Sequence, residues 1–164
     1  MSMIGNLLRV TKAELESYLL DSSLLEDRIY NEEAGGNPSL IDIDKSWEGI
    51  LFLLTGQNLA TLNHHLGRVF FSGQTIDKEQ DLGYGPGQYL TPEEVKEINV
   101  ELSAITVEEI TKRFDPRRMT ELEIYPNAWE GDGILNYLLD YFKEVQVTYS
   151  VAARNNEGII VFLT

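Results

Sequence analysis

Leu40 to Gly56 reads LIDIDKSWEGILFLLTG, two aspartates, a lysine and a tryptophan running straight into an apolar segment closed by glycine. Trp47, Ile50, Leu51 and Leu54 recur at helical spacing, and Gly56 suits the position just past a helix end, where a left-handed residue turns the chain away. Ahead of the helix, Ile41 and Ile43 alternate with Asp42 and Asp44. In an extended backbone such alternation sends the isoleucines to the core and both carboxylates to the other side. The stretch therefore predicts a short strand over Ser39 to Ile43 leading into a helix with one buried face.

The pattern on either side of this unit extends the same architecture. Ile4 to Val10 has the length and composition of a strand. Gly158 to Thr164, GIIVFLT, is a continuous apolar run too short for a helix, set off by the turn RNNEG. Both ends of the chain are thus expected in one sheet, with weaker strand candidates at Val69 to Ser72 and Gln88 to Leu90. Helix starts are legible: Thr11 with Glu14, Thr91 with Glu94 and Thr106 with Glu109 each set a hydroxyl at the cap and a carboxylate three residues on. Ser23 with Glu26 repeats the spacing, and Asp115 before Pro116 offers a further cap. From Gly133 to Ala153, Leu135, Leu138, Leu139, Phe142, Val145 and Tyr149 form a broad apolar stripe, predicting the longest helix. The fold class read from these elements is α+β, a small mixed β-sheet including the N- and C-terminal strands and covered by several helices. Asn31 to Ser39 is too short to separate domains, so residues 1–164 are expected to form one compact layered domain.

Composition narrows the chemistry. With no cysteine among its 164 residues, the chain has no disulfide framework, thiolate metal site or cysteine nucleophile. The net charge is −14, spread evenly: six basic against thirteen acidic residues up to position 82, and seven against fourteen thereafter. Such a field repels phosphate backbones and anionic membranes and speeds encounter with basic partners, while also serving solubility. No apolar run approaches the ~20 residues needed to span a bilayer. With no leader-like start, a cytoplasmic location is expected.

Four constellations are candidates for chemistry. Asp42 and Asp44, two apart on a strand, suit either a hard cation or a strand end followed by an Asp44 helix cap. No third oxygen ligand but Glu48 stands near, and no metal is expected. His64 and His65, the two histidines of the chain, are expected near the end of a short helix closed by Gly67. Adjacent positions there diverge by about 100° and cannot chelate one metal. Gly83 to Gly87, GYGPG, matches neither phosphate-binding spacing, and Glu93 and Glu94 would repel a phosphate at the following helix start, so the loop is read as positioning Tyr84 and Tyr89. Finally, Glu93, Glu97 and Glu101 recur every four residues, a carboxylate ladder opposite Val95, Ile98, Leu102 and Ile105. It is solvated, paired with the basic island Lys112, Arg113, Arg117 and Arg118, or met by a basic partner. No serine-nucleophile motif and no aromatic-plus-basic stripe for nucleic acid is present.

MSMIGNLLRV at residues 1–10, LIDIDKSW with LLTG at 40–56, and EIYP at 123–126, followed by the closing helix and strand, together resemble the YfbM-like family of small bacterial proteins. The resemblance covers most of the chain and implies a compact alpha-beta layered domain. It carries no established catalytic residues or cofactor. Function is therefore open between two readings. The favoured one is a small acidic binding protein whose face at Glu93, Glu97 and Glu101 meets a basic protein partner, as an immunity protein meets a basic toxin. The alternative is a small-molecule-binding or hydrolase-like domain, its pocket formed by Asp42, Asp44, Trp47, Tyr84, Tyr125 and Trp129.

Overall fold

A computed structural model describes residues 2–31 and 37–164. In chain order its elements are β1 (Gly5–Thr11), α1 (Lys12–Leu20), α2 (Ser23–Tyr30), β2 (Leu40–Asp42), α3 (Trp47–Thr55), β3 (Gln88–Leu90), α4 (Pro92–Ala104), α5 (Val107–Arg113), α6 (Pro116–Glu121), α7 (Ile134–Asn155) and β4 (Glu157–Leu163). Short 3-10 turns at Asp44–Ser46, Leu59–Thr61 and His65–Val69 link them. The expected loop from Asn31 to Ser39 lies mostly outside the described residues.

The class is α+β, as the sequence predicts, and both chain ends do share one sheet. Its strand order is β2-β1-β4-β3. Every pairing is antiparallel, where a mixed sheet was expected. At the end of α7 Asn156 takes a left-handed conformation (φ 57°), and β4 begins at the next residue. β1 and β4 pair over seven residues, Leu7 opposite Val161 and Leu8 opposite Ile160.

That register sorts the strands' side chains onto two buried faces. Leu7, Ile159 and Val161 pack beneath α3, α4 and α7 with Ile50, Leu53, Val95, Leu102, Phe142 and Tyr149. Leu8, Val10, Ile160 and Phe162 pack on the other side with Leu15, Tyr18, Leu25 and Ile29 of α1 and α2 and with Ile76 and Leu82 of the long connection. The unbroken apolar run of β4 reflects this burial on both faces; a half-solvated strand would alternate.

The three Thr-x-x-Glu spacings are all reciprocal capping boxes, at Thr11, Thr91 and Thr106. Asp115 accepts the Arg118 amide at the start of α6, whereas α2 begins without a side-chain cap. Two other expectations change. Val69 to Ser72 is no strand; Val69 closes the 3-10 turn. Asp44 does not cap α3: it sits inside a 3-10 turn at φ 52°, and α3 starts with no side-chain cap.

Candidate functional site

α3 is the hub, and its first turn places the expected pocket aromatics. Trp47 is 2% exposed. Its indole N–H donates to the Met3 carbonyl at 3.0 Å, and the Tyr125 ring stacks on it with centroids 5.5 Å apart. The Tyr125 hydroxyl accepts from the Met3 amide at 2.8 Å. Trp129, equally buried, donates to the Ile124 carbonyl at 2.7 Å and lies against Gly49, where an added Cβ would stand 2.6 Å from the ring carbon Cη2. These three aromatics do come together, as packing with their polar handles already satisfied. Tyr84 does not join them: it is exposed on the connection to β3, its backbone amide on the Leu163 carbonyl.

The two aspartates are similarly engaged. Asp42 accepts the Asp44 amide at 2.7 Å, and the Asp44 carboxylate accepts the Tyr137 hydroxyl at 2.7 Å. Burial, and then this bond, push the Tyr137 phenol well above its ordinary range. Two cavities of the described residues are lined by none of Asp42, Asp44, Trp47, Tyr84, Tyr125 and Trp129. Glu48, the one further oxygen ligand in reach by sequence, faces inward. Its two oxygens accept the Leu59 amide at 3.0 Å and the Tyr125 amide at 2.8 Å, fastening the loop after α3 to the segment after α6. Among the described residues no group of three or more metal-ligating side chains occurs.

The opposite end of α3 is where polar groups converge on a cavity. Phe52 to Gly56, His64, Leu66, Glu101, Ile105 and Arg113 line a cleft of about 460 Å³, within the size range of small-molecule sites. His64 is not in a helix, contrary to expectation. Its extended backbone precedes the 3-10 turn, and its Nδ1 accepts the Leu66 amide at 3.1 Å, which leaves the ring proton on Nε2. With this geometry the two imidazoles stack at 4.5 Å instead of diverging. His65 Nε2 meets Glu101 Oε2 at 2.5 Å, and Arg113 donates to the Leu53 carbonyl at 3.1 Å. Nothing local in the sequence announces this grouping, because it unites α3, the following loop, α4 and α5.

The carboxylate ladder runs along α4 from this cleft. Glu93, Glu97 and Glu101 are all exposed. Among the described residues no cation stands within ion-pairing distance of Glu93 or Glu97. The basic island does not neutralise them: Arg117 and Arg118 pair with Glu121, and Arg113 is turned to α3. Lys96 reaches Asn156, and Arg68 pairs with Glu94 at 2.5 Å. Burial alone would raise the Glu94 carboxyl, but Gln74, the Thr91 amide and hydroxyl and Arg68 together hold it below its ordinary value.

Residues 1–162 match the family model described as a domain of unknown function, DUF1877. The chain belongs to the DUF1877 family. Among solved structures, this DUF1877 chain is similar to the crystal structure of YfbM from Escherichia coli, a protein of unknown function. The two share 18% identity with a TM-score of 0.76, and the alignment covers 98% of this chain and 99% of YfbM. The expected resemblance thus holds at the level of family and fold. A comparison with the curated proteins finds no match. No helix among the described residues of this DUF1877 member is long and apolar enough to cross a membrane.

Proposed function

We propose that this protein is an interaction module whose α4 face docks a lysine- and arginine-rich protein surface. The observation that carries the reading is the pair Glu93 and Glu97, exposed one turn apart with no cation of the described residues in ion-pairing range. Like charges at that spacing cost a few tenths of a kcal/mol, a cost that a basic partner would turn into attraction. The surrounding −14 field would accelerate encounter and make association sensitive to salt.

The test uses a defined basic probe, hen lysozyme, in titrations at low ionic strength. Wild type should bind with an affinity that falls steeply as salt rises, and a Glu93→Lys, Glu97→Lys variant should bind at least about tenfold more weakly, as charge reversal at a docking surface requires. Equal binding by both proteins, or none by wild type, sinks the reading. That variant leaves the His65–Glu101 pair in place, so it does not touch the cleft.

A further inference from the structure

The cleft at the C-terminal end of α3 presents groups of both signs with open valences above an apolar wall. Glu101 spends Oε2 on His65, while no partner of Oε1 is found among the described residues. Arg113 spends one of its five N–H groups on the Leu53 carbonyl, leaving the rest of a fork that suits a carboxylate. His64 carries its ring proton on Nε2, its Nδ1 being occupied by the Leu66 amide. Phe52, Leu66 and Ile105 are buried and supply the apolar wall.

This donor set selects against several ligands. A phosphate or other simple anion would meet the Glu101 carboxylate, and a simple cation would meet Arg113. A metal is disfavoured because His64 offers no free lone pair, its Nδ1 accepting the Leu66 amide and its Nε2 carrying the proton, and among the described residues no group of three ligating side chains forms. The wider groove of about 850 Å³ between α4 and α7 carries charge of one sign only, from Lys143 and Arg154. A ligand that satisfies the smaller cleft has a carboxylate, an ammonium and an apolar body in one small molecule.

We propose that the cleft lined by His64, Glu101 and Arg113 binds a free α-amino acid with an apolar side chain. The carboxylate pairs with Arg113, with His64 Nε2–H as a further donor. The ammonium lies on Glu101, and the side chain rests on Phe52, Leu66 and Ile105. The inference is independent of the docking surface, since Glu93 and Glu97 do not line the cleft.

Calorimetric titration of the wild-type protein with leucine, methionine and phenylalanine at millimolar concentration tests it, beside two analogues of leucine: 3-methylbutylamine, which lacks the carboxylate, and 4-methylpentanoate, which lacks the ammonium. One amino acid should bind at a single site, and each analogue should bind at least about tenfold more weakly, the ordinary loss for a charge-assisted hydrogen bond. Glu101→Gln should abolish the advantage of the amino acid over 4-methylpentanoate, and Arg113→Gln its advantage over 3-methylbutylamine. Unliganded melting curves establish that both exposed-site variants fold. No binding by any of the three amino acids overturns the proposal, as does an amine or acid that binds as tightly as the zwitterion. Binding that both substitutions leave unchanged overturns it too.

Discussion

Replacing Gly49 by alanine sets two effects of opposite sign against each other in the middle of α3. On an exposed helix the change stabilises by about 1 kcal/mol, because glycine loses more backbone freedom on folding. Here the new Cβ would stand 2.6 Å from Trp129 Cη2 and 2.8 Å from Leu138 Cδ2, whereas carbon atoms rest at about 3.5–4.0 Å. Both neighbours must therefore retreat, each by about an ångström. Trp129 is held by its bond to the Ile124 carbonyl, and Leu138 is fully buried in α7. Overpacking of a closed core costs about 1–3 kcal/mol, more where nothing can yield. The clash should win, leaving Gly49→Ala destabilised by about 1–2 kcal/mol and its melting temperature about 2–8 °C lower for a chain of this size. Urea unfolding followed by tryptophan fluorescence measures the loss. The control is the same substitution in a Trp129→Phe background, where the outer ring is gone and the cost of Gly49→Ala should shrink, the contact with Leu138 keeping a part of it. A Gly49→Ala protein as stable as wild type, or an equal cost in both backgrounds, refutes the steric reasoning.

Three further outcomes are expected. Glu48→Gln turns one of two acceptor oxygens into a donor facing a backbone amide, so it should cost about 1–3 kcal/mol in a urea titration, with no change on adding magnesium or manganese. Glu94 and Glu14 are both held below their ordinary values: burial opposes this, but hydrogen bonds from Gln74 and Thr91 and the Arg68 charge act on Glu94, and those from Thr11 and the Arg28 pair act on Glu14. Their contribution is complete above the unfolded carboxylate value of about 4.3 and disappears as pH falls through the lower folded values. The urea midpoint should therefore drop below about pH 4.5, and less steeply in an Arg68→Gln variant. At the alkaline end, burial raises the Tyr149 phenol, which donates to the Val69 carbonyl, and raises Tyr137. Stability should be lost as pH climbs past the unfolded tyrosine value of about 10, and ultraviolet titration should show a late phenolate fraction that appears together with unfolding.

What was legible in the sequence was local and periodic. The Thr-x-x-Glu boxes encode both partners within one turn, so Thr11, Thr91 and Thr106 announce their helices without tertiary help. Gly56 does the same for the end of α3, at φ 73°. The length of β4 and its burial on both faces follow from an apolar run with no alternation. What was not legible depends on contacts across the fold. Asp44 looked like a cap because aspartate is favoured there, but Tyr137, 93 residues on, takes its carboxylate. The sequence puts both histidines on one helix, whereas His64 is extended ahead of the 3-10 turn that begins at His65, which lets the rings stack, and Glu101 reaches His65 across 36 residues. Glu48 reads in the sequence only as a third oxygen ligand near Asp42 and Asp44, and the return of residues 59 and 125 to its sides makes it a buried clasp. Of the aromatic set, Trp47, Tyr125 and Trp129 gather around α3 and Tyr84 stays apart, and the N–H and O–H groups of the three are taken by the backbone of Met3 and Ile124.

The position of β4 also governs how the chain is made. Residues 157–163 lie between β1 and β3, so a nascent chain that has emerged as far as α7 possesses its helices and three strands but no centre to its sheet. Leu7 and Leu8 then have partners only on the β2 side, at Ile41 and Leu40, and β3 has no neighbouring strand. Cooperative closure has to wait until the seven residues of β4 leave the ribosome, and until then the unpaired edge of β1 is the surface most exposed to wrong pairing. Synthesis that stops at Asn156 should yield a species that chaperones hold and proteases clear, because β1 and β3 are then left without the strand between them.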